Sequence, residues 1–338
     1  MKKTFILCIT VLLTFVLGFA IGYVTFEADE PEVQIAKDVE SVEEASGMPA
    51  PPSEAEKENE KTDEAENAEF MPQIPVSESM RLLKEKIETE LLSYEGDWAV
   101  YVENLGSGEK ISVNSKKMVS ASLIKIFIMA KVYDEIAAGT IAEEEVSDDL
   151  YNMITVSDNE ASNRLVAKLG GGTYVDMYGE AFQAGLAEVN GYALSIGCAD
   201  TEQQRDMKNF REVPVSEENY TSVDDCGLLL GNIYRSTAVN AEYSTKMLEL
   251  LRKQTRRWKI PAGLPAGTDC ANKTGELSNV ENDIALVFTP GADYVICVMS
   301  NNITAGGEAQ ANISKISSMV YSHFQEAVPK QQTEGEIL

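Results

Sequence analysis

Two pairs of strand-like runs stand at opposite ends of one stretch of chain. Trp98–Val102 and Lys110–Val113 flank Gly106-Ser107-Gly108, and Ile284–Phe288 and Tyr294–Met299 flank Pro290-Gly291-Ala292-Asp293. Turns this short join neighbouring strands only in antiparallel order. A further strand, carrying Asn272-Lys273-Thr274-Gly275, precedes the second pair. One sheet must therefore be assembled from both ends of the domain, and the mainly helical block between them, about Ser120–Arg257, is inserted between its halves. Met80, Leu83, Ile87 and Leu91 repeat at helical spacing before the first pair, as do Ile313, Ile316, Val320 and Phe324 after the last. Each set gives an amphipathic helix that needs a surface to pack on. The expected fold is α/β of the α+β kind, with terminal helices bracketing a domain at 75–328.

What precedes that domain has a different character. Lys2-Lys3 leads into an almost unbroken apolar run from Phe5 to Val24, longer than the core of a cleaved signal peptide and about long enough to span a bilayer. Residues 1–26 are expected to form a signal-anchor helix with its N-terminus in the cytoplasm. The alternative is a long signal peptide, for which Gly18-Phe19-Ala20 supplies small residues, and the domain is then secreted. Cys8 follows Leu7 and lies too early for a lipid-attachment site. Residues 27–74 read as an acidic, disordered linker: Glu27–Glu69 holds 16 acidic residues and three lysines, with no aromatic residue. Residues 329–338 are read as a tail.

The formal net charge of −27 opposes binding to a phosphate backbone, so no nucleic-acid partner is expected. Nearly half of that charge sits in the linker and says little about any cleft. The single histidine, His323, confines a Ser-His or Cys-His mechanism to one position near the C-terminus and excludes zinc sites built on two or three imidazoles. No metal and no cofactor is expected. A nucleophile in this chain needs a different base.

Ser120–Ile136 is apolar on nearly every face, as in a helix through the middle of a domain, yet it begins with polar residues. Ser122 and Lys125 are three apart, so one helical turn sets the amine beside the hydroxyl. Free N–H groups at the helix start can hold an oxyanion, and a desolvated lysine favours the neutral form that takes a proton. Ser157-Asp158-Asn159 follows, an ordinary turn or cap when taken alone, and then Lys273-Thr274-Gly275, where Gly275 lets a substrate lie close to strand backbone. Each motif alone is commonplace; the order Ser-x-x-Lys, Ser-Asp-Asn, Lys-Thr-Gly is not.

With these three motifs the chain resembles the class A β-lactamases and, more broadly, the penicillin-recognising serine enzymes. Val156–Leu165, Ala262–Gly267 and Asn282–Ala285 resemble them too, over about 77–324. The resemblance implies a β-lactamase/transpeptidase-like fold with a five-stranded antiparallel sheet and a metal-free acyl-enzyme mechanism. It implies that Ser122 is acylated and Lys125 takes its proton. Ser157 passes a proton to the leaving nitrogen, and Asn159 binds Lys125 and the substrate amide. Lys273 and Thr274 serve the substrate carboxylate beside Gly275, and the backbone N–H groups of Ser122 and Glu276 hold the oxyanion. The implied partner is a β-lactam or a peptidoglycan-derived small substrate, with the membrane reached through the N-terminal helix and a monomeric catalytic domain.

Two departures bear on what the site does. The Glu-x-x-Leu-Asn segment that activates the deacylating water in class A enzymes is absent between Asp200 and Asn219, where the residue two after Arg205 is Met207. Glu202, Asp206 and Glu212 are the candidate replacements. Ser157 comes only 35 positions after Ser122, which the resemblance reads as a cleft more open on that side. Three activities remain in view: a β-lactamase, a D-alanyl peptidase or other cell-wall amidase or esterase, and a penicillin-binding sensor that acylates and stops. Cys198, Cys226, Cys270 and Cys297 allow three disulfide pairings in an exported protein, although Cys297, in an apolar strand, reads as a buried thiol.

Overall fold

The computed structural model describes residues 75–172, 179–207 and 217–326. The chain divides into two units, Met1–Glu69 and Phe70–Leu338, and the described residues belong to the second. The expectations for 1–26, 27–74 and 329–338, and the candidate Glu212, lie outside the described residues.

In chain order the elements are α1 (Glu78–Leu91), β1 (Asp97–Asn104), β2 (Lys110–Val113), β3 (Met118–Val119), a 3₁₀ turn (Ala121–Ile124), α2 (Lys125–Ala138), α3 (Glu143–Thr155), α4 (Asn159–Leu169) and α5 (Glu180–Ser195). They continue with β4 (Tyr220–Thr221), α6 (Val223–Tyr234), α7 (Ala241–Arg252), a second 3₁₀ turn (Ile260–Gly263), β5 (Asp269–Leu277), β6 (Val280–Phe288), β7 (Tyr294–Asn301) and α8 (Gly306–Glu326). Five antiparallel strands form one sheet in the order β2-β1-β7-β6-β5. The sheet is thus built from both ends of the domain, as the short turns require.

Both faces of the sheet are covered, which the strand sequences explain. On β1, Trp98, Val100 and Val102 pack with Met80, Leu83 and Ile87 of α1 and Ile313, Ile316, Val320 and Phe324 of α8. The alternate residues Ala99 and Tyr101 pack with the helical block around α2. Period-two alternation in an apolar strand supplies two cores at once. Ser77 caps α1, its hydroxyl accepting from the Met80 N–H, and the left-handed Gly139 ends α2.

Three details differ from the sequence reading. β6 starts at Val280 rather than Ile284, because Glu281, Asn282 and Asp283 are buried strand residues whose polar groups find specific partners. The apolar stretch after Ser120 is a 3₁₀ turn followed by α2, not one helix. A small ribbon, Met118–Val119 with Tyr220–Thr221, ties the entrance of that turn to the segment before α6. Cys198, Cys226, Cys270 and Cys297 are all buried free thiols, so none of the three pairings is formed. Among the described residues no helix is long and apolar enough to cross a membrane.

Candidate active site

Ser122 stands on an elbow. Ala121 before it adopts φ +46°, in the left-handed region where a side chain is strained, and the 3₁₀ turn then feeds into α2. The elbow is held from two sides. Ser120 N–H donates to the Asn219 carbonyl at 2.8 Å, and Asn282 Nδ2 donates to the carbonyls of Val119 and Ser120 at 3.1 and 3.2 Å. Strand β5 passes close alongside. A Cβ on Gly275 would meet the Ser120 carbonyl oxygen at 2.7 Å and the Ser122 nitrogen at 3.2 Å, so only glycine allows that approach.

Lys125, one turn beyond Ser122, is fully buried at the start of α2. Its Nζ donates to Asn159 Oδ1 and the Ser157 carbonyl, both at 2.7 Å, and to the Asp158 carbonyl and Ser157 Oγ at 3.2 and 3.3 Å. None of these acceptors is Ser122 Oγ, so the expected direct Ser122–Lys125 contact is replaced here by a contact with the Ser157 turn. Burial lowers the amine to about 7; Asp158 opposes that shift and Arg256 adds to it.

Ser157 occupies the turn between α3 and α4 with φ +62°. Its hydroxyl receives Lys125 at 3.3 Å and Lys273 at 2.9 Å, so one small side chain links the two lysines. Asp158 caps α4, its Oδ1 accepting from the Ala161 N–H at 2.7 Å. This fixes Asn159 with its carbonyl oxygen toward Lys125 and its NH₂ turned the other way. Lys273, on β5, is fully buried and also donates to the Thr274 carbonyl at 2.8 Å. Burial, with Lys125 and Arg256 nearby, pushes its amine well below the ordinary lysine range. Thr274 Oγ1 is buried with no hydrogen-bond partner. β5 is an edge strand, and Glu276 follows Gly275 along it.

The structure therefore gathers Ser122, Lys125, Ser157, Asn159, Lys273, Thr274 and Gly275 around one elbow and one strand edge. It treats the candidate deacylation bases differently. Glu202 pairs with Lys117, Nζ to Oε2 at 2.5 Å, with both side chains about 40% exposed, and the hydrogen bonds from Lys117 and Gln204 hold its carboxyl below the usual range. Asp206 is half-buried, and its carbonyl accepts from Arg205 Nη1. Met207 is the loop residue pinned to α4, its N–H donating to Asn163 Oδ1 at 2.9 Å. The loop is also gathered by Asn219, whose Oδ1 accepts from Gln204 and Arg205 N–H. Two basic residues escaped the sequence reading: Arg256, 2.8 Å from Glu276, and the buried Lys259. Their run of cations in an acidic chain was the signal available.

A five-stranded antiparallel sheet with a serine–lysine elbow against its edge strand, and a helical block over one face, defines the serine β-lactamase and transpeptidase class of fold. Within that class the chain belongs to the β-lactamase enzyme family, whose model matches residues 82–146 and 142–324. It is 28% identical over 174 residues to β-lactamase FAR-1 of Nocardia farcinica, a match covering 47% of each chain, so it spans about half the length of that curated relative. A β-lactamase structure from Sphaerobacter thermophilus aligns with a TM-score of 0.61 at 24% identity, covering 73% of this chain and 98% of that one. The structure of PBP-A aligns with a TM-score of 0.63 at 21% identity, covering 75% and 99%. A mutant of PBP-A is known as an acyl-enzyme complex with penicillin G, at the same TM-score, identity and coverage.

Proposed function

We propose that this protein is a serine hydrolase that forms an acyl-enzyme on Ser122 with β-lactams or related cell-wall amides. The observation that carries the reading is the buried Lys125 amine, held near neutrality one turn from Ser122 and tied to Ser157. For this step the neutral Lys125 amine turns its lone pair from the Ser157 side toward Ser122, one turn away, and accepts the Ser122 hydroxyl proton as Oγ attacks the carbonyl carbon. Charge develops on the carbonyl oxygen between the backbone N–H groups of Ser122 and Glu276. The proton then passes from Lys125 through the Ser157 hydroxyl to the leaving nitrogen, the C–N bond breaks, and the ester on Ser122 remains. The Asn159 NH₂ faces the substrate amide, and the partnerless Thr274 hydroxyl donates to its carboxylate. An anion at that point favours the charged form of Lys273, which restores positive potential when substrate is bound.

We place the domain outside the cytoplasm, tethered through 5–24 and the acidic linker. That reading is supported by the length of the apolar run and the lysines before it.

The loop favours a second activity on the same site. Glu202 is occupied by Lys117, and the residue pinned against α4 is Met207. Among the described residues, then, neither the paired Glu202 nor Met207 offers a free carboxylate to water attacking a penicilloyl ester, which favours a D-alanyl peptidase or other cell-wall amidase or esterase, or a penicillin-binding domain that acylates and stops. A fluorescent penicillin tests the common core. Wild type should carry one label on Ser122 by mass spectrometry, and Ser122→Ala none. A label elsewhere, or an equally labelled mutant, sinks the proposal.

A further inference from the structure

Lys259 takes no part in the acylation steps, yet it is fully buried beneath the strand edge where they occur. It sits on the loop between α7 and the second 3₁₀ turn. Its Nζ lies 2.5 Å from Glu281 Oε2 and 3.1 Å from Glu276 Oε1, and it donates to the carbonyls of Asn282 and Gly275 at 3.0 and 3.4 Å. Removing an ammonium from water is costly unless charged partners meet it, and here they do. Glu276 and Glu281 are direct cross-strand partners on β5 and β6, a placement in which like charges repel. The ammonium between them removes that repulsion and is itself fixed by it. Arg256 Nη1 at 2.8 Å from Glu276 Oε2 and Gln310 Nε2 at 3.0 Å from Glu281 Oε1 hold the outer oxygens.

The carbonyl contacts have the larger consequence. A trans peptide points its C=O and its N–H to opposite sides, and no peptide among the described residues is cis. The Gly275 carbonyl faces Lys259 beneath the β5–β6 pair, so the Glu276 N–H of the same peptide faces the open edge of β5. Ser122 N stands beside that edge, 3.2 Å from where a Gly275 Cβ would be. A cation at a peptide oxygen also withdraws electrons from the peptide and makes its N–H a stronger donor.

We propose that Lys259 is a positioning residue for the oxyanion site: anchored on Glu276 and Glu281, its ammonium holds and polarises the Gly275–Glu276 peptide whose N–H receives the developing charge. This rests on the acyl-enzyme reading, in which that N–H is one of two oxyanion donors. Loss of a whole oxyanion donor costs about 10²–10³ in rate, and loss of its orientation and polarisation should cost about tenfold.

The test uses the Lys259→Met/Glu281→Gln double variant, which removes both charges of the closest pair, measured against Glu281→Gln alone. Lys259→Gln, which keeps a neutral donor, decides the same question if the double variant does not fold. Two quantities are read with penicillin G: the acylation rate at saturation against the half-saturating concentration, and the ester carbonyl stretch of the Ser122 adduct by difference infrared spectroscopy. The expected result is acylation slowed about tenfold, half-saturation within twofold of the reference, and a stretch moved to higher wavenumber as the carbonyl loses polarisation. A merely structural lysine would leave the stretch in place. Unchanged rate and stretch in a variant with native circular dichroism overturn the assignment while the acyl-enzyme reading stands. Wild type that forms no Ser122 adduct overturns both.

Discussion

The pH dependence of acylation is the sharpest consequence of burying Lys125. An ordinary lysine near 10.5 is neutral in only about one molecule in 3,000 at pH 7. The Lys125 amine, lowered to about 7 chiefly by burial, is neutral in about half. Acylation that needs the free amine should rise through neutrality, running at pH 6 at roughly a fifth of its pH 7 rate and levelling off above about pH 8. Arg256 supplies a direct handle, because its charge disfavours the protonated amine. Arg256→Gln should move the rising limb to higher pH, so the variant loses more rate at pH 6 than at pH 9. Stopped-flow acylation by a fluorescent penicillin between pH 5 and 9, with saturation checked at each pH, reads both effects. Lys125→Met should abolish the limb and slow acylation by about 10²–10⁴. The same ionisation sets a stability slope. Between about 7 and the unfolded value of 10.5 the folded chain binds fewer protons at this site, so its contribution makes stability rise with pH across that window. A rate that is flat from pH 5 to 8 in wild type, or a limb that moves down in Arg256→Gln, would refute the assignment of Lys125 as the base.

Two further outcomes are expected. Gly275→Ala would set a methyl 2.7 Å from the Ser120 carbonyl and 3.2 Å from Ser122 N, backbone atoms that cannot swing aside; it should destabilise the domain by about 1–3 kcal/mol and suppress labelling, and native melting with native labelling would contradict the described approach of β5 to the elbow. Product release should show a burst equal to the enzyme present followed by slow turnover, and Met207→Glu should speed that second phase about tenfold or more by supplying a carboxylate at the pinned loop position. Fast wild-type turnover would instead require a base in the loop, and the amide variants of Glu202, Asp206 and Glu212 would identify it or leave the loop account refuted.

The amino-acid sequence by itself determined the frame. Short turns forced antiparallel pairs, the two pairs at opposite ends implied one sheet built from both ends of the domain, and helical spacing in 80–91 and 313–324 placed the terminal helices. These signals are local, so they survive without knowledge of partners. Motif order and the i, i+3 spacing likewise brought Ser122, Lys125, Ser157 and Lys273 into one hypothesis, and the structure brings all four together. Tertiary structure decided what depends on contacts between distant segments. The sequence reading begins the strand at Ile284, and the structure extends it over Glu281, Asn282 and Asp283, which meet Lys259, the Ser120 carbonyl and the Ile260 N–H. The contact of Lys125 with Ser157 rather than Ser122, the neutral range of its amine, the pairing of Glu202 with Lys117 and the pinning of Met207 by Asn163 likewise have no trace in spacing. Each is set by burial and by a charge or hydrogen bond arriving from another element, and dielectric and distance belong to the folded chain alone.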